Sequence, residues 1–427
     1  MPIYFLKFLH SIVIFLLLVR YMINKLRSLL YIGFLILKIE AMSKAIRPGY
    51  ETVDNATMLV TGSSGFVGAR LVEMLLERKA KHVLCFDIVN PSETLLERFR
   101  VAAGGDETKF TICPDGDLTK RESVEAAFAS SKDKIDVVYH IAALVGPFYP
   151  QKLYKAVNYD GTLHIIDNCK KYGVPRMVFS SSPSTRFDGN DIEGLKENEL
   201  KFPKTFLQTY AETKAMAEKE VTKVCSKDFL TIAVAPHQVY GPHDSLFLPN
   251  LLETCGNGRL RVFGAGKNKI SVCHVDNYCH GLICGADALY ENSPVLGKFY
   301  IITDGPEQYF WKMINTAGME MGFRDLFSKF HLPIPLLMTI AYICNALGFI
   351  LNTKFKLNPF NVKMLTIHRY FNIENSKKDL KYEPIYTFEE GWKETIAWFK
   401  TNWLPGYNER KNNKKGSGFA GVSKKNA

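Results

Sequence analysis

Tyr210 and Lys214 stand four residues apart in the stretch LQTYAETKAMAEKEV. On a helix, positions i and i+4 share one face, so a phenol and an ammonium here can address a single ligand. The spacing alone says little, because Tyr21/Lys25 and Tyr407/Lys411 repeat it. Tyr210 and Lys214 are singled out by their setting, inside a run of alternating strand-like and helix-like segments. Upstream, the strand-like RMVFSSS ends in Ser180, Ser181 and Ser182, the last of them 28 residues before Tyr210. Hydroxyls at the C-terminal end of a strand lie where open α/β sheets bind ligands. Without the tyrosine downstream, the same serines would read as a turn.

A second constellation suits phosphate. The stretch TGSSGFVG follows the apolar MLV and opens the helix-like ARLVEML. Gly62, Gly65 and Gly68, with Ser64 and Phe66 between them, are spaced GxxGxxG. Glycines let such a turn tighten and let backbone N–H groups approach a pyrophosphate at a helix N-terminus. A lone glycine triplet is weak, but strand before and helix after is the required context. Asp87 ends the next apolar run, 25 residues after Gly62. A carboxylate there accepts hydrogen bonds from ribose hydroxyls and repels a 2′-phosphate, which favours NAD over NADP.

These residues need a scaffold. MLVTG, HVLCFDIV, KFTICP, DVVYHIA, RMVFSSS and TIAVAP read as strands. Between them ARLVEMLLER, VEAAFASS, GTLHIIDNCKKYG and AETKAMAEKEVTKV read as amphipathic helices. Near-continuous apolar strands alternating with helices indicate an α/β fold, a Rossmann-like doubly wound parallel sheet covered on both faces. The expected organisation is a membrane anchor and basic flank over 1–50 and a nucleotide domain over 51–290, interleaved with a substrate part from about 235. A smaller C-terminal substrate part over 291–407 and a disordered basic tail over 408–427 complete it.

The chain has 427 residues and a formal charge of +11. Residues 1–50 contribute +6 and 408–427 contribute +5, so 51–407 is net neutral. A nucleic-acid enzyme would place its basic excess on the folded domain, whereas charged ends suit anionic lipid headgroups. PIYFLKFLHSIVIFLLLV is close to one bilayer span, and Arg20, Lys25 and Arg27 follow it. A signal anchor with its basic flank in the cytosol fits better than a cleaved leader. A second uncharged stretch, 330–353, reads as a span or as a membrane-docking element. The nine cysteines are scattered without a CxxC pair, which argues for reduced thiols in a cytosol-facing domain. No His/Cys cluster has zinc spacing, so no metal is expected. The final Lys424-Lys425-Asn426-Ala427 resembles a dilysine retrieval signal of the endoplasmic reticulum.

TGSSGFVG, Asp87, GDL at 116–118, HIAA at 140–143, NYDGT at 158–162, the serines and YAETK together resemble an extended short-chain dehydrogenase. PHQVYGPHD and GNGRLRVFGAGKNKISVCHVDN are similar to the 3β-hydroxysteroid dehydrogenase family, in particular its branch acting on sterol 4α-carboxylates. HRYFNIENSKKDLKYEP carries the likeness to about residue 403. The resemblance implies NAD-dependent oxidation of a sterol 3β-hydroxyl, with decarboxylation of a 4α-carboxysterol. It makes Tyr210 the general base and Lys214 its electrostatic helper and the holder of the nicotinamide ribose. Ser182, with Ser181 as fallback, would bind the substrate oxygen, and Asn158 would hold a relay water. Asp117 and Leu118 would contact adenine, and Ala142 and Ala143 would line the cofactor groove. Ala235, where the family usually has arginine, together with Pro183 and Arg186, departs from the pattern and puts substrate orientation in question. Alternatives are a dehydrogenase/isomerase, a sugar-nucleotide epimerase or reductase, and a non-catalytic NAD-binding scaffold. The expected partners are a sterol and membrane lipid. The oligomeric state is open, a homodimer among the options.

Overall fold

The computed structural model describes residues 52–146, 149–351 and 357–416. The expected N-terminal anchor and the dilysine end lie outside the described residues. Seven strands form one sheet: β1 (Thr57–Thr61), β2 (His82–Phe86), β3 (Phe110–Cys113), β4 (Val137–His140), β5 (Arg176–Ser180), β6 (Leu230–Pro236) and β7 (Phe299–Ile302). Their order is β7-β6-β5-β4-β1-β2-β3, and every pairing is parallel. The chain leaves β1 toward β2 on one side and resumes at β4 on the other. That reversal opens a crevice at the carboxyl ends of β1 and β4, where doubly wound sheets bind ligands. β1 and β4 are buried along their whole length, because helices cover both faces and such strands must be apolar throughout. The expected Rossmann-like fold is borne out.

The smaller part is assembled from distant stretches. Ile192–Leu195, Lys269–Ile270, Gln308–Tyr309 and Arg369–Phe371 form a four-stranded sheet. A second core around Trp311, Leu252, Val262 and Phe399 lies apart from the one that coats the large sheet. The interleaving therefore starts at residue 192, and β7 joins the nucleotide sheet from beyond 290.

One expectation is corrected. The tail is not irregular from 408: Leu404–Gly416 is helical. Its first turns are anchored by Tyr407, which is buried and stacked on Trp403 with ring centres 5.1 Å apart. Composition suggested a solvated tail, and one aromatic overrode it. In the 330–353 stretch the helix is Ile334–Ile350, 17 residues, about 25 Å at ~1.5 Å per residue. Among the described residues no helix is long and apolar enough to cross a membrane.

Candidate active site

The glycine loop leaves β1 at Gly62, whose φ of +77° suits a residue without a side chain. A Cβ at Gly62 would lie 2.9 Å from the Ala142 nitrogen, and one at Gly68 would lie 1.9 Å from the Gly62 carbonyl. The first contact lets the loop pass close to the segment after β4. The second lets helix Phe66–Glu77 start against the loop itself. That helix has Gly65 at its N-cap and no side-chain capping bond, so its first N–H groups remain free for an anion. Ser64 Oγ is buried with no partner among the described residues, an orphan polar atom in the phosphate loop that needs one.

Asp87 follows β2. Its Oδ2 accepts the Ser64 N–H at 2.9 Å and its Oδ1 accepts the Val89 N–H at 2.9 Å. One carboxylate thus props the glycine loop and keeps a lone pair on each oxygen for ribose hydroxyls. Asp117 and Leu118 follow β3, and Ala142 and Ala143 follow β4, all at the same edge. Asp117 Oδ1 accepts both the N–H and the hydroxyl of Thr119, and Leu118 is buried with its carbonyl on His164. Ala142 N–H donates to Thr61 at 3.1 Å, which fixes the groove wall. The loop, the uncapped helix, the orphan hydroxyl and Asp87 fit NAD.

Tyr210 and Lys214 lie one turn apart on helix Thr209–Lys223, which packs on β6. Lys214 is buried; its Nζ donates to the Ser180 carbonyl at 2.5 Å and lies 4.0 Å from the centre of the Phe179 ring. Burial pushes its ammonium down to about 7, with Glu218 pulling the other way. The Tyr210 phenol is raised above its usual value by burial; a hydrogen bond from Ser182 works against this and nearby Tyr154 adds to it. Ser182 Oγ also sits 2.8 Å from Ser184 Oγ and caps the short helix Pro183–Arg186. Ser182, Tyr210 and Lys214 are therefore brought together.

Ser181 is not available to a substrate, because its Oγ donates to Glu218 Oε2 at 2.5 Å. Arg186 also turns to Glu218, through both guanidinium nitrogens, with the pair 8% and 3% exposed. The guanidinium lies 3.6 Å from the centre of the Phe299 ring. This departure from the family pattern is thus a buried structural pair, and Ala235 is fully buried opposite Ile301 in the sheet. Glu218 is a residue that sequence reasoning passed over. It continues the Tyr210–Lys214 row at the next i+4 step, and that spacing was the available signal.

Asn158 sits in a π-helical turn, Lys155–Asp160, a distortion frequent at functional sites. Its Oδ1 accepts the Leu144 N–H at 2.8 Å, while Nδ2 donates to the Leu144 carbonyl at 3.1 Å and to Thr213 Oγ1 at 3.3 Å. It ties the segment after β4 to the Tyr210 helix. His140 of HIAA bridges Thr61 and Thr162; burial and Lys214 lower it to about 3, so it is a neutral spacer.

A sequence profile of the 3-beta hydroxysteroid dehydrogenase/isomerase family matches residues 59–333. The chain belongs to this family. Sterol-4-alpha-carboxylate 3-dehydrogenase, decarboxylating, of Schizosaccharomyces pombe is 31% identical over 350 residues, covering 81% of this chain and 98% of its own. The human protein of that name is 29% identical over 348 residues, covering 80% and 87%. A 2-alkyl-3-oxoalkanoate reductase of Stenotrophomonas maltophilia is 29% identical over 337 residues, covering 78% and 96%. Among solved structures, an epimerase of Methanothermobacter thermautotrophicus superposes with a TM-score of 0.63 at 19% identity, covering 85% of this chain and 97% of its own. A dTDP-glucose 4,6-dehydratase of Bacillus anthracis in complex with NAD gives 0.60 at 19%, covering 82% and 99%. These two likenesses are of fold.

Within this 3-beta hydroxysteroid dehydrogenase/isomerase member, the HVDN motif is structural. Asp276 holds Arg70 of the nucleotide helix through two bonds of 2.8 and 3.0 Å. Asn277 Nδ2 donates to Asp304 Oδ1 at 2.7 Å and to the Tyr386 carbonyl at 2.8 Å, and its Oδ1 accepts the Ile385 and Tyr386 N–H groups. Tyr240 of the YGP motif donates to Asp304 Oδ2 at 2.8 Å. The motifs join the nucleotide helix to the C-terminal part.

Proposed function

We propose that the protein oxidises the 3β-hydroxyl of a sterol with NAD, and that its substrate is a 4α-carboxysterol released as the 3-ketosterol after loss of carbon dioxide. The observation that carries this reading is buried Lys214, one turn from Tyr210, donating to the Ser180 carbonyl at the strand end that also bears Ser182, in the sheet that carries the nucleotide loop. The names of the relatives supply the substrate class.

NAD, when bound, supplies the hydride acceptor. Gly62, Ser64, Gly65, Phe66 and Gly68 would hold its pyrophosphate, Asp87 its ribose, and Asp117, Leu118, Ala142 and Ala143 its adenine and groove. Tyr210 takes the hydroxyl proton. Its half-buried phenol resists ionisation, so the charged form of Lys214 must offset that resistance. Ser182 orients the substrate oxygen. Asn158 Oδ1 has accepted one of the two bonds it can take, which leaves room for a relay water. Once the 3-ketone forms, the 4α-carboxylate is β to a carbonyl. The bond to the carboxyl carbon breaks, its electron pair enters the ketone as an enolate, and carbon dioxide leaves, so no further acid–base pair is required.

The test is cofactor reduction against a panel of 3β-hydroxysterols with and without a 4α-carboxylate. The expected result is NADH and carbon dioxide in equal amounts from the carboxylated sterols. Carbon dioxide without NADH, or turnover confined to nucleotide sugars, would sink the reading.

The same reading places the protein on the endoplasmic reticulum membrane, with its catalytic part facing the cytosol. The apolar run before residue 20 and the basic flank after it support this, as does the exposed apolar surface of Ile334–Ile350. Full-length protein released by alkaline carbonate would overturn it.

A further inference from the structure

A cavity of about 570 Å³ lies outside the catalytic constellation, between Cys255–Gly258, Gly322–Arg324 and Ser328–Phe330. Its volume falls in the ~300–1,000 Å³ range of small-ligand sites. Every charged side chain lining it is a cation: Arg261, Arg324, Lys329 and Lys411. Arg261 and Lys411 are steadied by main-chain carbonyls, at 2.6 Å from Gly258 and 3.1 Å from Gly256. Lys329 Nζ is buried and, among the described residues, has no hydrogen-bond partner. A buried ammonium without a counter-charge is costly, and three further cations around it raise that cost. Such a lining is complete only with an anion. Guanidinium forks and ammonium donors match the oxygens of a phosphate group.

The neighbourhood says what carries the phosphate. Phe330 lines the cavity and is 71% exposed. Four residues on, the uncharged helix Ile334–Ile350 begins. Its buried residues are Leu337, Ala341 and Gly348, while Ile343, Phe349 and Ile350 are 54%, 91% and 74% exposed. A cationic cavity that opens beside an apolar helix has the two-part chemistry of a lipid: a charged head next to a greasy body. We infer that the cavity binds the phosphate headgroup of an anionic phospholipid while Ile334–Ile350 lies in the interface of the same leaflet. This deepens the membrane reading above and rests on it.

The test uses the full chain in mild detergent, titrated separately with dioctanoyl phosphatidic acid, dioctanoyl phosphatidylcholine and inorganic phosphate, with binding read by calorimetry. Phosphatidic acid should bind with measurable heat, and the other two should bind far more weakly. The double variant Arg324→Gln/Lys329→Gln should weaken phosphatidic acid binding roughly 25-fold, at about fivefold per cation. Its thermal midpoint should hold or rise, because neither side chain has an ion-pair partner among the described residues and the buried ammonium is relieved. An unchanged affinity in the double variant, or equal affinity for both lipids, would overturn the headgroup site. Inorganic phosphate binding as tightly as phosphatidic acid would overturn the lipid as its source. Phe349→Asp tests the membrane reading separately. It should lower flotation with neutral vesicles and leave the phosphate-dependent preference in place, and failure of the wild type to float at all would remove the membrane reading itself.

Discussion

The two ends of the molecule treat their buried polar groups in opposite ways. At the nucleotide end, the helix at Gly65 is uncapped, Ser64 Oγ has no partner among the described residues, and Asp87 has used half of its acceptor capacity. At the junction with the C-terminal part, Asn277 makes all four of the bonds its amide allows, and Asp304 accepts from Asn277, Tyr240 and the His274 N–H. TGSSGFVG and HVDN are equally visible as motifs in the sequence. Spare hydrogen-bonding capacity separates a motif that binds from a motif that holds the fold together.

The sharpest way to break this comparison is Tyr210→Phe. The ring stays, so the fold and NAD affinity should persist, while general-base catalysis contributes ~10²–10⁴-fold and turnover should fall by that factor. Carbon dioxide release should disappear together with NADH formation. Normal turnover in this variant would remove the dehydrogenase assignment. Asn277→Ala probes the other end. It removes one of the three donors to Asp304 and the partner of three part-buried main-chain groups, and stability should fall by about 3 kcal/mol as read by urea titration. NAD affinity of the folded fraction should hold. A variant of full stability with lost NAD affinity would reverse the roles assigned to the two motifs.

Much of this was legible from residue order. Strand–glycine–helix order placed Gly62 and Gly68, and strand alternation gave six strands of the large sheet. β7 was missed because FYII is a four-residue apolar run that pattern alone does not assign. The small sheet was missed because two of its strands are two residues long and the other two pair with each other across more than a hundred residues of chain. At the site, helical spacing gave Tyr210 and Lys214, and Ser182 followed from its strand end. Which serine faces Tyr210 was not readable, because that choice rests on Glu218 drawing Ser181 and Arg186 away. Side-chain partners of that kind depend on packing between elements, and no periodicity records them.

Asp87→Ala tests the spare capacity of the loop directly. Hydrogen bonds to a charged group are worth ~1.5–3 kcal/mol, so NAD should bind about 10–100-fold more weakly by fluorescence titration. Rejection of NADP should relax, because the charge that repels its 2′-phosphate is gone. Asp87 also props Ser64, so a small loss of phosphate-loop order should accompany the change. Wild-type preference for NADP would contradict the ribose assignment outright.

Lys214 allows the comparison to be tested through pH. In the free protein, burial pushes its ammonium down to about 7, whereas an unfolded lysine titrates near ~10.4. Between those values the unfolded chain holds a proton that the folded chain has released. Stability must then rise with pH across that window, because the unfolded state binds more protons. Below pH ~7 both states are protonated and the penalty of burying the ammonium is complete. Lys214→Met has nothing to titrate. The stability difference between wild type and variant should therefore move by about 1–2 kcal/mol in favour of wild type between pH ~7 and ~9. Near neutrality the variant should be the more stable protein while inactive, as expected where a buried charge is kept for function. A pH-independent difference would mean that Glu218 keeps Lys214 charged throughout. The nucleotide end would then hold less polar capacity in reserve than its uncapped helix and orphan hydroxyl imply.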